Sequence, residues 1–443
     1  MSRTYWVDMT DLYLWTGYHT GIQRTVYNLA KYYAERPDAK FFVYNDKTRE
    51  FNEIDFAAIP IPKKRVKKIT VRSETREQLK YQLKSIYLRI PAATRARLHP
   101  MLRRTLNQAH HTLYSARRSL TTPRHHKPLK SAVFAPGDAV IIIGAGWIRP
   151  TIVTELWRRK QTGGFKVFHF IHDMIPTYHP HLFGPGHFEL ATTYMFEAIT
   201  AADGILTNSQ ASRKDTESFM NELKLPPKPI TVIRLGDDLR DLAEPAAPDD
   251  IRLQPGTFLF CDGTLEIRKN HILLYTAYKL AISRGIKLPR LVIIGQPGWH
   301  AGDVLYSIKN DPDVRDLITV RKNTSDGELV WLFQNCKFAV YPALYEGWGL
   351  PHAEALVMGK LSLTSSTSSL PEVAGDLADY FNPFDAGDCL DVITKYLDPD
   401  TLAAAEKRIQ AGYRPQTWKD SYTEFHAALE SQLARLESAK VAP

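Results

Sequence analysis

Tyr341–Gly359 reads YPALYEGWGLPHAEALVMG: an apolar strand closes at Pro342, a loop carrying Gly347 and Gly349 follows, and a helix opens near Pro351. A helix N-terminus offers unpaired amides and the positive end of its dipole to an anion, and glycines let a phosphate approach the backbone. Gly347, Trp348, Gly349 and Leu350 are therefore expected to cradle a diphosphate. Glu346 lies in the loop and Glu354 one turn into the helix. Both can face one cleft, one carboxylate toward sugar hydroxyls and the other toward a vicinal diol such as ribose. Glu354 alone would equally be a first-turn acid favoured by the dipole; beside Glu346 and the glycines the binding role is preferred.

Working outward, short β-branched or aromatic runs alternate with helix-length periodic stretches, the pattern of parallel α/β structure. YWVDM, FFVYN, AVIIIG, KVFHFIHD, GILTNS and TVIRL read as strands, with helices at 21–34, 150–160, 187–201 and 211–223. Residues 239–256 are rich in Pro, Asp and Ala without periodicity and read as an interdomain linker. A second alternation follows: FLFCDG, LVIIG, LITV, FAVYP and LSLTS as strands, with helices at 271–284, near Val304, at 326–335 and at 351–358. The expected fold class is α/β, two Rossmann-like parallel-sheet domains whose strand ends face one another across a ligand cleft. Residues 1–240 would form the first domain and 241–416 the second. An amphipathic helix in 417–443 would cross back to the first.

A length of 443 residues suits two such domains, and 44% hydrophobic with 24% charged residues is ordinary globular composition. Cys261, Cys336 and Cys389 are too few and too scattered for a disulfide framework or a zinc site, and read as core thiols of a reducing compartment. No apolar run reaches the length of a signal peptide or a membrane span. The expected location is the cytoplasm, or the inner face of the cytoplasmic membrane as a peripheral protein.

The net charge of +9 is concentrated. Residues 61–130 hold 19 Lys and Arg against Glu74 and Glu77, a local balance of +17 that leaves −8 elsewhere. Leu79, Leu83, Ile86, Tyr87 and Ile90, then Leu98, Met101, Leu102 and Leu106, recur at helical spacing between these cations. Such basic amphipathic helices either lie on an anionic membrane surface or pack as a solvated insertion on their own domain. No nucleic-acid-binding motif accompanies the charge, so nucleic acid is not an expected partner.

The Glu346 and Glu354 pair matches an E-x7-E signature, and EGWGLPHAEAL around it resembles the retaining nucleotide-sugar glycosyltransferases of family 4, especially their bacterial mannosyltransferase-like branch. CDGTLEIRKNH at 261–271 is similar to the family's G-T-x-E-P-R-K-N stretch, with Ile267 in place of proline. TGIQR, IHDMIP, TNSQASRKD and SSTSSLPEVAGDLADYFNP resemble further family segments, whereas 61–130 has no counterpart. The resemblance implies a GT-B fold and a nucleotide-diphospho-sugar donor. GDP-mannose is favoured, with rhamnosyl or other hexosyl donors as alternatives, and the acceptor would be a surface polysaccharide or lipid-linked glycan.

Residue by residue, Gly263 turns the chain after a strand, and Arg268 and Lys269 are expected to balance the departing diphosphate. Thr264 stands where many relatives carry an arginine, which leaves that cation's work to Arg268. Gly21 and Arg24 would meet the same diphosphate from the first domain. His172 would face the anomeric region, Asp173 would orient, Glu346 would hold the donor sugar and Glu354 the ribose. The catalytic set expected is thus His172, Glu346, Lys269 and Arg268.

The resemblance implies a front-face transfer in which the leaving phosphate oxygen takes the acceptor's proton, so that no strong enzymatic base is needed. Asp311-Pro312-Asp313 and Asp398-Pro399-Asp400 have metal-motif spacing but read as turns, so no metal or other cofactor is expected. The rival readings are a GT-B-like epimerase or phosphorylase, and a non-catalytic polyanion- or membrane-binding protein with a vestigial site. If the basic segment meets a membrane, neutralising Lys63, Lys64, Arg65, Lys67 and Lys68 together weakens sedimentation with anionic liposomes while donor hydrolysis persists. Unchanged sedimentation excludes that role.

Overall fold

The computed structural model describes residues 3–15, 21–59, 130–149, 151–239 and 243–441. All of these belong to one packed unit, Met1–Val66 with Leu129–Pro443. Apart from Lys130, the basic segment 61–130 and the roles expected of it lie outside the described residues.

Two sheets organise the unit. The first runs β4-β3-β2-β1-β5-β6-β7-β8, built from β1 (Tyr5–Asp8), β2 (Ala39–Asn45), β3 (Glu50–Ile54), β4 (Lys130–Ser131), β5 (Ala139–Ile142), β6 (Lys166–Ile171), β7 (Gly204–Thr207) and β8 (Ile230–Val232). Its centre is parallel, and YWVD, AVII and GILT are buried along their whole lengths, as strands covered by helices on both faces must be. The second sheet runs β11-β10-β9-β12-β13-β14 and is parallel throughout. It comprises β9 (Phe258–Asp262), β10 (Arg290–Ile294), β11 (Ile318–Arg321), β12 (Phe338–Tyr341), β13 (Ser362–Ser365) and β14 (Tyr380–Phe381).

In each sheet the strand order reverses once, between β1 and β5 in the first and between β9 and β12 in the second. Loops leaving neighbouring strands there diverge to opposite faces and open a crevice at the carboxyl ends, where open α/β sheets bind ligands. The expected pair of Rossmann-like sheets is present, and the three cysteines are buried and unpaired as anticipated. Among the described residues no helix is long and apolar enough to cross a membrane.

Four elements escaped the periodicity. β3 and β4 add an antiparallel edge to the first sheet, and the polar EFNEI becomes a strand because β2 pairs along all five of its residues. A short helix, Thr10–Leu14, interrupts what reads as a loop after β1. β14 forms where pairing with β13 recruits Tyr380 and Phe381 from a stretch with no strand pattern of its own.

The last helix, Trp418–Val441, packs on the first sheet, burying Phe425, Leu429 and Leu433. Gln432 Nε2 donates to the Ile205 carbonyl at 3.0 Å and to Thr231 Oγ1 at 2.9 Å, and the Tyr5 hydroxyl donates to Glu430 at 2.6 Å. The turn into this helix is tied down by Asp237, which is fully buried and accepts from the Tyr413 hydroxyl (2.6 Å), Arg234 (2.7 Å) and the Gln416 amide (2.8 Å). Asp237→Ala leaves those donors without an acceptor and is expected to cost about 2–4 kcal/mol. Thermal unfolding checks this as a melting temperature lowered by several degrees.

Candidate active site

The sequence-predicted residues of the second lobe converge at the β9/β12 reversal. Gly263, at φ +149°, follows β9, and the chain passes through a single 3-10 turn, Ile267–Lys269, that brings two cations back over the strand end. β12 ends at Tyr341 and delivers Glu346 opposite them. Lys269 Nζ lies 2.6 Å from one Glu346 oxygen and Arg268 Nη1 2.7 Å from the other, while Arg268 Nη2 pairs with Glu266 at 2.7 Å. The Tyr341 hydroxyl donates to Glu346 at 3.1 Å and accepts from Lys269. Burial alone would raise the Glu346 carboxyl, but Arg268 and Lys269 outweigh it and hold the group at about 2. Glu346 is therefore an anion throughout the physiological range.

The loop from Glu346 to Leu350 is held from behind. Ser368 Oγ accepts from the Glu346 amide at 2.9 Å, and Ser369 Oγ donates to the carbonyls of Glu346 (2.9 Å) and Trp348 (2.8 Å). Gly349 caps the helix Leu350–Val357 at φ +111°, where a Cβ would also lie 2.6 Å from Leu370. Only glycine satisfies both the backbone angle and that space. Trp348 and Leu350 point into the core and serve as anchors of the loop.

Facing these groups stands the first lobe. Gly21 opens the helix Gly21–Tyr33, its Cα hydrogens directed at Leu350, from which a Cβ would be 3.6 Å. Arg24, one turn along, reaches across to Glu354 at 2.7 Å, so the pair joins the lobes. The cation expected on the diphosphate and the carboxylate expected on the ribose thus rest on each other. Gly347 abuts the end of β6, and a Cβ there would fall 2.4 Å from the His172 carbonyl. Ser212 Oγ donates to that carbonyl at 2.9 Å and to the Gly347 carbonyl at 3.4 Å.

His172 is buried, and its Nε2 lies 2.8 Å from the Ile143 carbonyl. A carbonyl only accepts, so the neutral ring carries its proton on Nε2. Burial lowers this imidazole to about 4 despite that bond, and it is uncharged at neutral pH. The Asp173 carboxyl is raised, first by burial and against the pull of Arg268, and accepts from the Ile175 amide at 3.0 Å.

Thr264 is exposed beside Gly298. The two Asp-Pro-Asp stretches serve local structure: Asp311 and Asp313 bind Lys279, and Asp398 caps the helix Pro399–Gly412 by accepting from the Thr401 amide. Among the described residues Asp249, Asp250 and Glu328 could group around an ion, but the Arg321 guanidinium already pairs with Asp250 and Glu328 at 2.7 and 2.8 Å.

Sequence reasoning missed Tyr341 and Glu266, which complete the Glu346 cluster, and Ser368 and Ser369, which position its loop. Tyr341 and Glu266 lie inside stretches already singled out, and their polarity at strand ends was the available signal. Glu372 was also missed. Its two oxygens accept from the Gln210 and Ala211 amides at 2.7 Å each, capping the first-lobe helix Gln210–Glu222 from the second lobe.

Four imidazoles, His169, His172, His271 and His352, are buried and held at about 3 to 4, first by burial. Each has a folded value below its ordinary 6.5. The unfolded chain therefore binds more protons below that pH, and stability present above 6.5 is lost as pH falls toward 4. Denaturant titrations between pH 7 and 4.5 should report an uptake approaching about four protons on unfolding from these groups, reduced by about one in His169→Gln.

Residues 250–414 match the family model for glycosyl transferases group 1. The O-antigen chain mannosyltransferase B of Escherichia coli is 32% identical over 166 residues, 37% of this chain and 42% of that protein. The MMP alpha-(1->4)-mannosyltransferase of Mycolicibacterium hassiacum is 25% identical over 197 residues, 44% of this chain and 45% of that protein. The matched regions span less than half the length of these curated relatives. Among solved structures, sucrose-phosphate synthase from Thermosynechococcus elongatus superposes with a TM-score of 0.58 at 14% identity, over 98% of this chain and 100% of that one. Anabaena HepE in complex with UDP gives 0.58 at 14% identity, over 97% and 100%.

Proposed function

We propose that this protein, whose residues 250–414 match the group 1 glycosyl transferase model and whose fold is GT-B, is a retaining hexosyltransferase. It moves mannose from GDP-mannose onto a surface polysaccharide or a lipid-linked glycan, at the cytoplasmic face of the membrane and without a metal ion. The mannosyltransferase names of the curated relatives support the choice of sugar, and the O-antigen relative supports the class of acceptor.

One observation carries the reading: Arg268, Lys269 and Glu346 form a buried, hydrogen-bonded cluster at the strand-order reversal of the second sheet, with Gly21 and Arg24 of the first lobe opposite. On donor binding the diphosphate competes with Glu346 for the two cations. Glu346 then turns to the sugar hydroxyls, and Glu354 exchanges Arg24 for the ribose diol. Arg24 is released toward the phosphates. Two cations and the amides around Gly347 to Leu350 stabilise the charge that develops on the leaving diphosphate. The neutral His172 flanks the anomeric carbon without adding charge, and the closed lobes exclude the water that would hydrolyse the donor.

This places large demands on two side chains. Lys269→Ala and Glu354→Ala are each expected to lower turnover at least tenfold, about 1.4 kcal/mol of transition-state stabilisation. Near-normal rates in both would show that the cleft assignment is wrong. A thermal-shift screen of nucleotide sugars tests the donor, because a ligand that binds only the folded state raises the melting temperature by mass action. GDP-mannose is expected to give the largest rise, and a larger rise with a UDP- or dTDP-linked sugar overturns the choice of donor.

A further inference from the structure

The first sheet has a strand-order reversal of its own, and a recess opens there that none of the donor-side groups occupies. Asp8, Thr10 and Asp11, following β1, and Ala145, Gly146, Arg149 and Ile152, following β5, line about 190 Å³ counted to its open mouth. Its enclosed end has room for one water-sized group.

The polar atoms of this wall are unevenly satisfied. Asp11 is 5% exposed, and its Oδ2 accepts from Gln23 Nε2 at 2.9 Å and from the Ala145 amide at 3.3 Å. Among the described residues its Oδ1 is buried with no partner. Arg149 gives Nη1 to Asp46 at 2.8 Å, yet among the described residues its Nε is also buried without an acceptor. Buried polar atoms are nearly always paired, and an unpaired one costs the desolvation of that group. An empty acceptor and an empty donor on two residues that line one small recess therefore describe the group that completes them: one that donates to a carboxylate and accepts from a guanidinium. A hydroxyl does both. Asp8, whose carboxyl burial pushes up to about 6, accepts from the Thr10 amide and hydroxyl through one oxygen and adds a second carboxylate to the same wall. Ile152 supplies an apolar face that suits the carbon skeleton bearing the hydroxyl.

The recess also shares its walls with the cleft. Gln23, which holds Asp11, precedes Arg24, which reaches Glu354. Gly144 touches Asp11, and a Cβ there would lie 3.0 Å from the Asp11 Cβ; the preceding Ile143 carbonyl holds His172. We propose that Asp11 Oδ1 and Arg149 Nε form a subsite that reads one hydroxyl of the acceptor sugar, a specificity determinant set in the first lobe beside His172. The proposal rests on the hexosyltransferase reading above. Asp11 and Arg149 act by positioning: no bond is made or broken at them.

Asp11→Asn tests this sharply. The two donors on Oδ2 require an oxygen there, so the free position becomes an NH2 and the recess changes from acceptor to donor. Arg149→Lys removes Nε while leaving a cation for Asp46, and serves should the first variant fold poorly. Full-length wild type and both variants are assayed with the methyl α-pyranosides of mannose, glucose, galactose and rhamnose as acceptor probes, and the donor-induced melting shift is followed in parallel. The expected result is an acceptor KM raised at least tenfold in each variant, a much smaller change in kcat, and a donor shift that persists. An unchanged acceptor KM in both variants overturns the subsite, as does a wild type that responds to donor but uses none of the four glycosides. A wild type without any donor response overturns the hexosyltransferase reading and the subsite with it.

Discussion

A buried carboxylate with two cations on it organises the second lobe. Glu346 is removed from water, and an anion in that position persists only because Lys269 and Arg268 occupy its two oxygens and Tyr341 donates to one of them. Such a cluster adds little to net stability, since the desolvation of three charges offsets their attraction. Its worth is positional. It fixes the ends of β9 and β12 against each other and stores, at the strand-order reversal, the charges that a diphosphate and a sugar require.

The same logic extends across the cleft. Arg24 and Glu354 neutralise one another between lobes, Glu372 caps a first-lobe helix, and the Tyr345 hydroxyl donates to Asp215 at 2.7 Å. These contacts link side chains that are far apart in sequence, and each joins a group of the second lobe to the start or flank of a helix in the first. The closed arrangement therefore draws on polar contacts around the rim, while Gly347 and Gly21 provide close backbone approach nearer the centre.

Much of the architecture was legible in the chain. Fully apolar runs such as AVII and LVII announced strands buried on both faces, and helices such as His187–Ala201 and Asp326–Asn335 fall where the periodicity put them. The strands that were missed have a common cause. EFNEI, Lys130–Ser131 and Tyr380–Phe381 are short or polar, and become strands because a neighbour's free edge pairs with them. Pairing with a partner elsewhere in the chain leaves no local trace.

Residue types and spacing by themselves determined the α/β class, the glycine-bearing loop before the helix Leu350–Val357, and the presence of two acids and two cations in the second half. Those follow from rules that act within a few residues: burial periodicity, the helix dipole, the freedom of glycine. Only the tertiary structure decided which charge faces which. That Arg268 divides itself between Glu266 and Glu346, that Arg24 meets Glu354, and that Asp11 and Arg149, which line one recess, keep unpaired atoms among the described residues depends on where separate strand ends converge. Electrostatic pairing is settled by distances of a few ångströms through space, and the order of residues along a chain does not specify those distances.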